Sequence, residues 1–281
     1  MKHSIRIFCG FAAVGTAVLC GISPAAAEFP LNFYIGTNWS AFYYREPDIH
    51  VAHTGSYFPG LVARIDFDDP KSYRFYASAA YRYLHGTYDY DGYFQTMDGA
   101  RHPYSDAALP QSKQNADGLI GLFIGNLKRD ILIKLTAGAS YEITTDNGYE
   151  VDPYFYKRTR ETIFGVIGMS LRKTWEPYRS LEINLAAKPV LSSIQASRFS
   201  DVGGIWAAAP EVHQREHGWG AELSATYKYM NLWFRPYVSV VALGASSDAH
   251  FRIGTKNEIS VTANEPANRT IEFGMDLGAW F

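Results

Sequence analysis

Past residue 27 the chain contains no cysteine; both of its cysteines, Cys9 and Cys20, precede that point. A mature chain starting at Glu28 therefore has no disulfide framework, no thiol nucleophile and no cysteine-held metal. Basic charge is also scarce. The net charge is −2, and about −4 once Lys2 and Arg6 are removed, which argues against a nucleic-acid partner. No run of eighteen apolar residues follows residue 27, so no transmembrane helix is expected. That last absence does not exclude a membrane, because a spanning β-strand is apolar on one face only and reads as soluble by hydropathy. Aromatic residues and glycine are plentiful, with 20 Tyr, 17 Phe, 6 Trp and 24 Gly.

The first 27 residues read as an export signal. Lys2, His3 and Arg6 form a basic start, Ile7 to Ile22 an apolar stretch, and Ser23-Pro24 a break before Ala25-Ala26-Ala27. This pattern predicts a secretory signal peptide over 1–27, Sec-type export and cleavage near Ala27, leaving 28–281 as one domain. Cys20 is not a lipidation site, because Leu19 stands where a lipoprotein carries a small residue.

The rest of the chain alternates with a period of two. At its end, Ile271, Phe273, Met275, Leu277, Ala279 and Phe281 oppose Glu272, Gly274, Asp276, Gly278 and Trp280. Such alternation is a strand with two unlike faces. Similar segments are expected at 31–45, 56–67, 72–85, 116–127, 131–145, 160–173, 181–196, 216–229 and 232–247. The fourth is apolar on both sides, so its faces stay open, as does the register of the sixth. Pro189 marks the seventh as irregular near its outer end. With 269–281 there are ten strands. Connections of ten or more residues follow the odd-numbered strands and short turns follow the even ones. The expected fold is all-β: a ten-stranded antiparallel transmembrane β-barrel with short periplasmic turns and long extracellular loops.

The C-terminal strand resembles the assembly signal of Gram-negative outer-membrane β-barrel proteins, carried here by Phe273, Leu277 and Phe281. That resemblance implies an outer-membrane location at the cell surface. It implies three partners: the barrel-assembly machinery, outer-membrane lipid and lipopolysaccharide. Aromatic residues at strand ends fit interfacial girdles: Trp39, Tyr43 and Tyr83 outside, and Tyr73, Tyr227, Tyr229, Trp280 and Phe281 on the periplasmic side.

Charges on the face opposite the apolar one must point into the lumen, since lipid does not accept them. The expected lumen set is Arg64, Asp66, Arg74, Arg82, Lys134, Glu142, Glu182, Lys188, Glu222, Lys228, Arg235, Glu272 and Asp276. Its signs nearly balance. Ten strands about 4.8 Å apart and tilted about 40° give a wall roughly 20 Å across, most of it consumed by side chains. A salt-bridged plug is the expected outcome, a narrow polar pore the alternative.

Two motifs could carry chemistry. Asp89-Tyr90-Asp91 is expected in the second outer loop, and Asp248-Ala249-His250 at the tip of the ninth strand. These resemble the site of the omptins, ten-stranded outer-membrane proteases with an Asp-x-Asp pair facing an Asp-His dyad across a water. The resemblance implies that Asp89 and Asp91 would hold the water, His250 would take its proton and Asp248 would orient the imidazole. The Asp-x-Asp is in the matching loop. The Asp-x-His is not, since omptins have three strands after it and one follows here. His213 and His217 are at i, i+4, a metal-ligand spacing only on a helix. No metal and no cofactor are expected. The surface ligand is not legible in the sequence, and the expected function is surface interaction or small-solute passage, with omptin-like endopeptidase as the alternative.

Overall fold

The computed structural model describes residues 31–281 except 70–73, 96–99, 125–130, 177, 255 and 257. The expected signal peptide lies outside the described residues.

The alternating segments form β1 (Leu31–Glu46), β2 (Val51–Asp69), β3 (Phe75–Gln95), β4 (Arg101–Ile124), β5 (Ile131–Asp146), β6 (Lys157–Glu176) and β7 (Arg179–Arg198). They continue as β8 (Val212–Glu216), β9 (Gly218–Tyr229), β10 (Leu232–Leu243), β11 (Ala249–Ile253), β12 (Ile259–Ala263) and β13 (Asn268–Trp280). Strands β8 and β9 are one barrel strand interrupted at His217. β11 and β12 form a separate hairpin. The remainder is a closed ten-stranded antiparallel barrel: neighbours pair in chain order, and β13 pairs with both β10 and β1. Closure leaves no barrel strand with an open edge in the membrane, where an unpaired backbone group would find no water.

Side-chain alternation sets the two faces. On β2, Leu61 is 65% exposed and Ile65 points the same way, whereas Val62 and Asp66 are buried. On β13, Phe273 and Leu277 are exposed and Glu272 and Asp276 buried. The open faces of the fourth strand resolve: Ile120, Leu122 and Ile124 point outward and Phe123 inward. The register of the sixth resolves likewise, with Thr162, Phe164, Val166 and Ser170 inside and Ile163, Ile167, Met169 and Leu171 outside. Near Pro189, Ile163 faces Ser192 while Phe164 faces Val190, so Leu191 has no partner. This bulge flips the parity and lets Lys188 and Ser193 both point inward.

Several expectations are corrected. The segment 86–115, expected as the longest loop, is mostly strand: β3 and β4 pair from Phe75–Leu122 out to Gln95–Arg101. The loop expected at 46–55 shrinks to residues 47–50. The ladder between two strands does not stop at the lipid boundary, and the tyrosines Tyr88, Tyr90, Tyr93 and Tyr104 suit a pleated surface. Arg74 is not a lumen residue. It precedes β3 with φ of 51° and an exposed side chain, so strand parity has not begun there. Trp280, expected in the periplasmic girdle, faces the lumen and packs on Tyr34, Val62 and Trp233. Tyr73 is outside the described residues.

Candidate functional site: the lumen and its outer mouth

The inward faces of the ten strands stack into three layers of charge. Nearest the short turns, Arg64 binds Asp66 at 2.6 Å, and Arg172 binds both Asp68 (2.8 Å) and Glu182 (2.6 Å). Lys134 joins this layer through Glu182 at 2.6 Å and sits 3.8 Å from the ring centre of Tyr76. Lys228 donates to the Tyr34 hydroxyl and lies over the rings of Tyr34 and Trp280. Aromatic side chains fill what the charges leave. Trp233 meets Tyr34 edge-on at 5.7 Å, and Phe123 meets Tyr76 at 6.4 Å.

The middle layer is centred on Asp276. It accepts from Arg82 and Arg235 at 3.0 Å each, and from Asn38. Arg235 also binds Glu222, which Lys188 approaches at 3.5 Å. Lys113 links Glu272 (2.6 Å) to Glu142 (3.1 Å), and the Tyr237 hydroxyl donates to Glu272 at 2.8 Å. In this layer each of these ions has an opposite charge within reach, as burial requires.

The outer layer encloses a cavity of about 80 Å³ lined by Tyr44, His53, Lys113, Arg158, Arg160 and Gln195 among others. Arg158 binds Asp146 at 3.0 Å and Arg160 binds Glu216 at 2.9 Å. His53 is stacked between Tyr44 (4.6 Å) and Tyr88 (4.8 Å). Above this, the connection after β7 and the β11–β12 hairpin meet. Phe199 stacks on Phe251 at 5.6 Å, Trp206 lies beside both, and Gly254 donates its N–H to the Ile205 carbonyl at 2.9 Å.

Thus twelve of the thirteen charged residues named from sequence stand on the inward face, and Arg74 does not. Sequence reasoning missed Asp68, Lys113, Arg158, Arg160, Arg172, Glu216 and Glu265. Arg160 and Arg172 fell in the sixth strand, whose register was open, and Arg158 fell in the connection expected before it, which β6 takes up from Lys157. Lys113 fell in a segment read as loop.

The two motifs do not converge. Tyr88 and Tyr90 point inward, so Asp89 and Asp91, one residue on, are exposed on the outer wall of the β3–β4 extension. Asp89 accepts the Ala108 N–H at 3.1 Å. On the hairpin, Asp248 accepts from Asn264 at 3.1 Å while His250 Nδ1 engages the Thr262 hydroxyl at 2.9 Å. Each of the two is bonded to β12 or the residue after it. A carboxylate–imidazole pair does occur elsewhere: His213 Nε2 lies 3.2 Å from Glu211. It lies on β8, at the outer end of the eighth barrel strand. But Val212 and Gln214 take the inward positions on β8, so His213 points out. Among the described residues no group of three His, Cys, Asp or Glu side chains is arranged to hold a metal ion.

Together, strand number, closure and a charged interior define an outer-membrane-type β-barrel. Comparison with solved structures agrees on the fold. The chain is similar to the outer membrane protease OmpT of Escherichia coli, with a TM-score of 0.59 and 12% identity over 89% of this chain and 95% of that one. It overlaps far more loosely with the toluene transporter TodX of Pseudomonas putida, at a TM-score of 0.32 and 7% identity over 92% of both. No protein-family model matches the sequence. No curated protein matches it either.

Proposed function

We propose that this chain is an exported, integral outer-membrane protein of a Gram-negative bacterium with a closed lumen, and that it works through its outer loops at the cell surface rather than by transport or proteolysis. The observation that carries the reading is the middle layer. Arg82, Arg235 and Asp276 meet inside a wall about 20 Å across, with Glu222, Lys188, Lys113 and Glu272 completing the section. A solute would have to break several desolvated ion pairs to pass. The apolar outward band fits lipid. The exposed guanidiniums of Arg45 and Arg269, cross-strand partners at the outer end of β1 and β13, support a phosphate-bearing lipid such as lipopolysaccharide as a partner.

The test is conductance of the refolded protein in a planar bilayer. We expect no stepwise current above the lipid baseline. Steady channel openings would replace this reading with small-solute passage. The endopeptidase alternative keeps the barrel likeness and the Asp89-x-Asp91 position. The outward orientation of Asp89, Asp91 and His213 weighs against it.

A further inference from the structure

We propose that the outer mouth is roofed by the β11–β12 hairpin and that Glu265, at the foot of that hairpin, latches the roof: neutral Glu265 holds it down and ionised Glu265 loosens it. This goes beyond the closed-lumen reading, because the middle layer stays shut in either state of the roof.

The foot of the hairpin is fixed by Glu265 itself. Its N–H donates to the Ser246 hydroxyl at 2.7 Å and its carbonyl accepts the Ser246 N–H at 2.9 Å, tying the two ends of the insertion together. Gln214 on β8 holds the Ala263 carbonyl at 2.9 Å. The hairpin is seated by Phe251 on Phe199 and by Gly254 on Ile205, and Ile253, at the end of β11, is fully buried.

The Glu265 side chain turns down into the mouth and is 6% exposed. It meets an excess of acid there. From β1 come Glu46, which accepts from the Tyr44 hydroxyl at 2.5 Å, and Tyr44 itself. From β6 and the residue before it come Arg158, Arg160 and Tyr156, and from β8 comes Glu216. Arg160 is taken by Glu216. Arg158 is taken by Asp146 at 3.0 Å and stands 3.9 Å from Glu265. Glu46, Asp146, Glu216 and Glu265 thus share two guanidiniums. Burial pushes the Glu265 carboxyl up to about 7, with Glu46 and Glu216 adding to the rise and Arg158 and Arg160 opposing it.

The sign follows from proton linkage. In water a Glu carboxyl titrates near about 4.3. The roofed state therefore binds the extra proton between that value and about 7. Glu265's contribution to closure is complete below about pH 4, falls as pH rises, and is gone above about 7. Ionised Glu265 adds a charge beside Glu46 and Glu216, and lifting the hairpin returns that charge to water.

The mature chain has no thiol, so a single cysteine reports access cleanly. Ile253→Cys places a thiol at a fully buried position of the seated hairpin, which becomes accessible when the hairpin lifts, and Ala208→Cys on an exposed loop corrects for the pH dependence of thiol reactivity. With Glu265 present, the maleimide labelling rate at 253 relative to that at 208 should rise about tenfold from pH 6 to pH 8.5. In Glu265→Gln, which cannot ionise, the ratio should stay low and flat, while Glu265→Asp should retain a rise. Heat-modifiable electrophoretic mobility verifies that each variant is folded. A flat ratio with Glu265 present overturns the latch, as does an equal rise in a folded Glu265→Gln protein. If Glu265→Gln does not fold, the parental ratio and Glu265→Asp decide the matter.

Discussion

Arg82 and Asp276, 194 positions apart in the chain, are joined inside the barrel by an ion pair of 3.0 Å. They come from strands separated around the wall by β1 and β2, so the bond is a chord through the lumen. Asp276 is 1% exposed and holds Arg235 as well. Two guanidiniums depend on one carboxylate.

Removing that carboxylate should be costly. Asp276→Ala leaves Arg82 and Arg235 without it, and breaking a buried pair from one side costs about 3–5 kcal/mol. Asp276→Asn, which keeps an acceptor, should lose less. Urea unfolding of the refolded protein, followed by tryptophan fluorescence, measures both. Wild-type stability in Asp276→Ala would show that water reaches these groups freely.

The seam between first and last strands should govern assembly. Phe281 exchanges backbone bonds with Phe33 at 2.9 and 3.1 Å, and its ring shares the outward face with Phe273 and Leu277. Phe281→Asp should lower the amount of folded protein in the outer membrane and leave aggregated or degraded chain in the periplasm. Fractionation with a heat-mobility assay reads this directly. Normal outer-membrane levels would count against an assembly role for Phe281.

Outward and inward positions should differ in tolerance of charge. Ala79 and Leu135 face outward in the membrane band, whereas Ser78 and Thr136 face the lumen. Arg at Ala79 or Leu135 should cost about 2–4 kcal/mol if it meets lipid near the midplane. Arg at Ser78, which is half-buried, should be milder. Thr136 is buried beside Gly168, so Arg there should lose stability through crowding rather than through lipid. Refolding yield into vesicles ranks the four, and equal yields for Ala79→Arg and Ser78→Arg would mean that the face assignment of β3 does not govern stability.

No peptide cleavage is expected from the purified protein on a panel of fluorogenic peptides. Asp89 and Asp91 stand on the outer wall, and Asp248 and His250 bond separately to Asn264 and Thr262. Cleavage that disappears in Asp91→Ala or His250→Ala, with heat-resistant folding intact, would put the endopeptidase reading first.

Much of this fold is local, and local physics is legible in one dimension. The alternation of Phe273, Leu277 and Phe281 with Glu272 and Asp276 states a two-faced strand without reference to any other part of the chain. Ten such segments with alternating connections require closure, because an open edge in lipid leaves backbone groups unpaired. The inward charges followed from the same parity. Parity fails where a chain leaves or shifts its ladder. Arg74 precedes its strand, Leu191 is skipped by the pairing, and β3 and β4 run on to Gln95 and Arg101 because only a partner strand determines where a ladder stops. The partners of each charge were beyond sequence altogether. Nothing local joins Arg82 to Asp276, or sets Glu265 between Glu46 and Glu216. Those choices depend on shear, bulges and the fall of the last loop, which appear only when the barrel is closed. The same holds for the motifs: Asp-x-Asp spacing puts both carboxylates on one face of a strand, and only the tertiary structure decides that this face is the outer one.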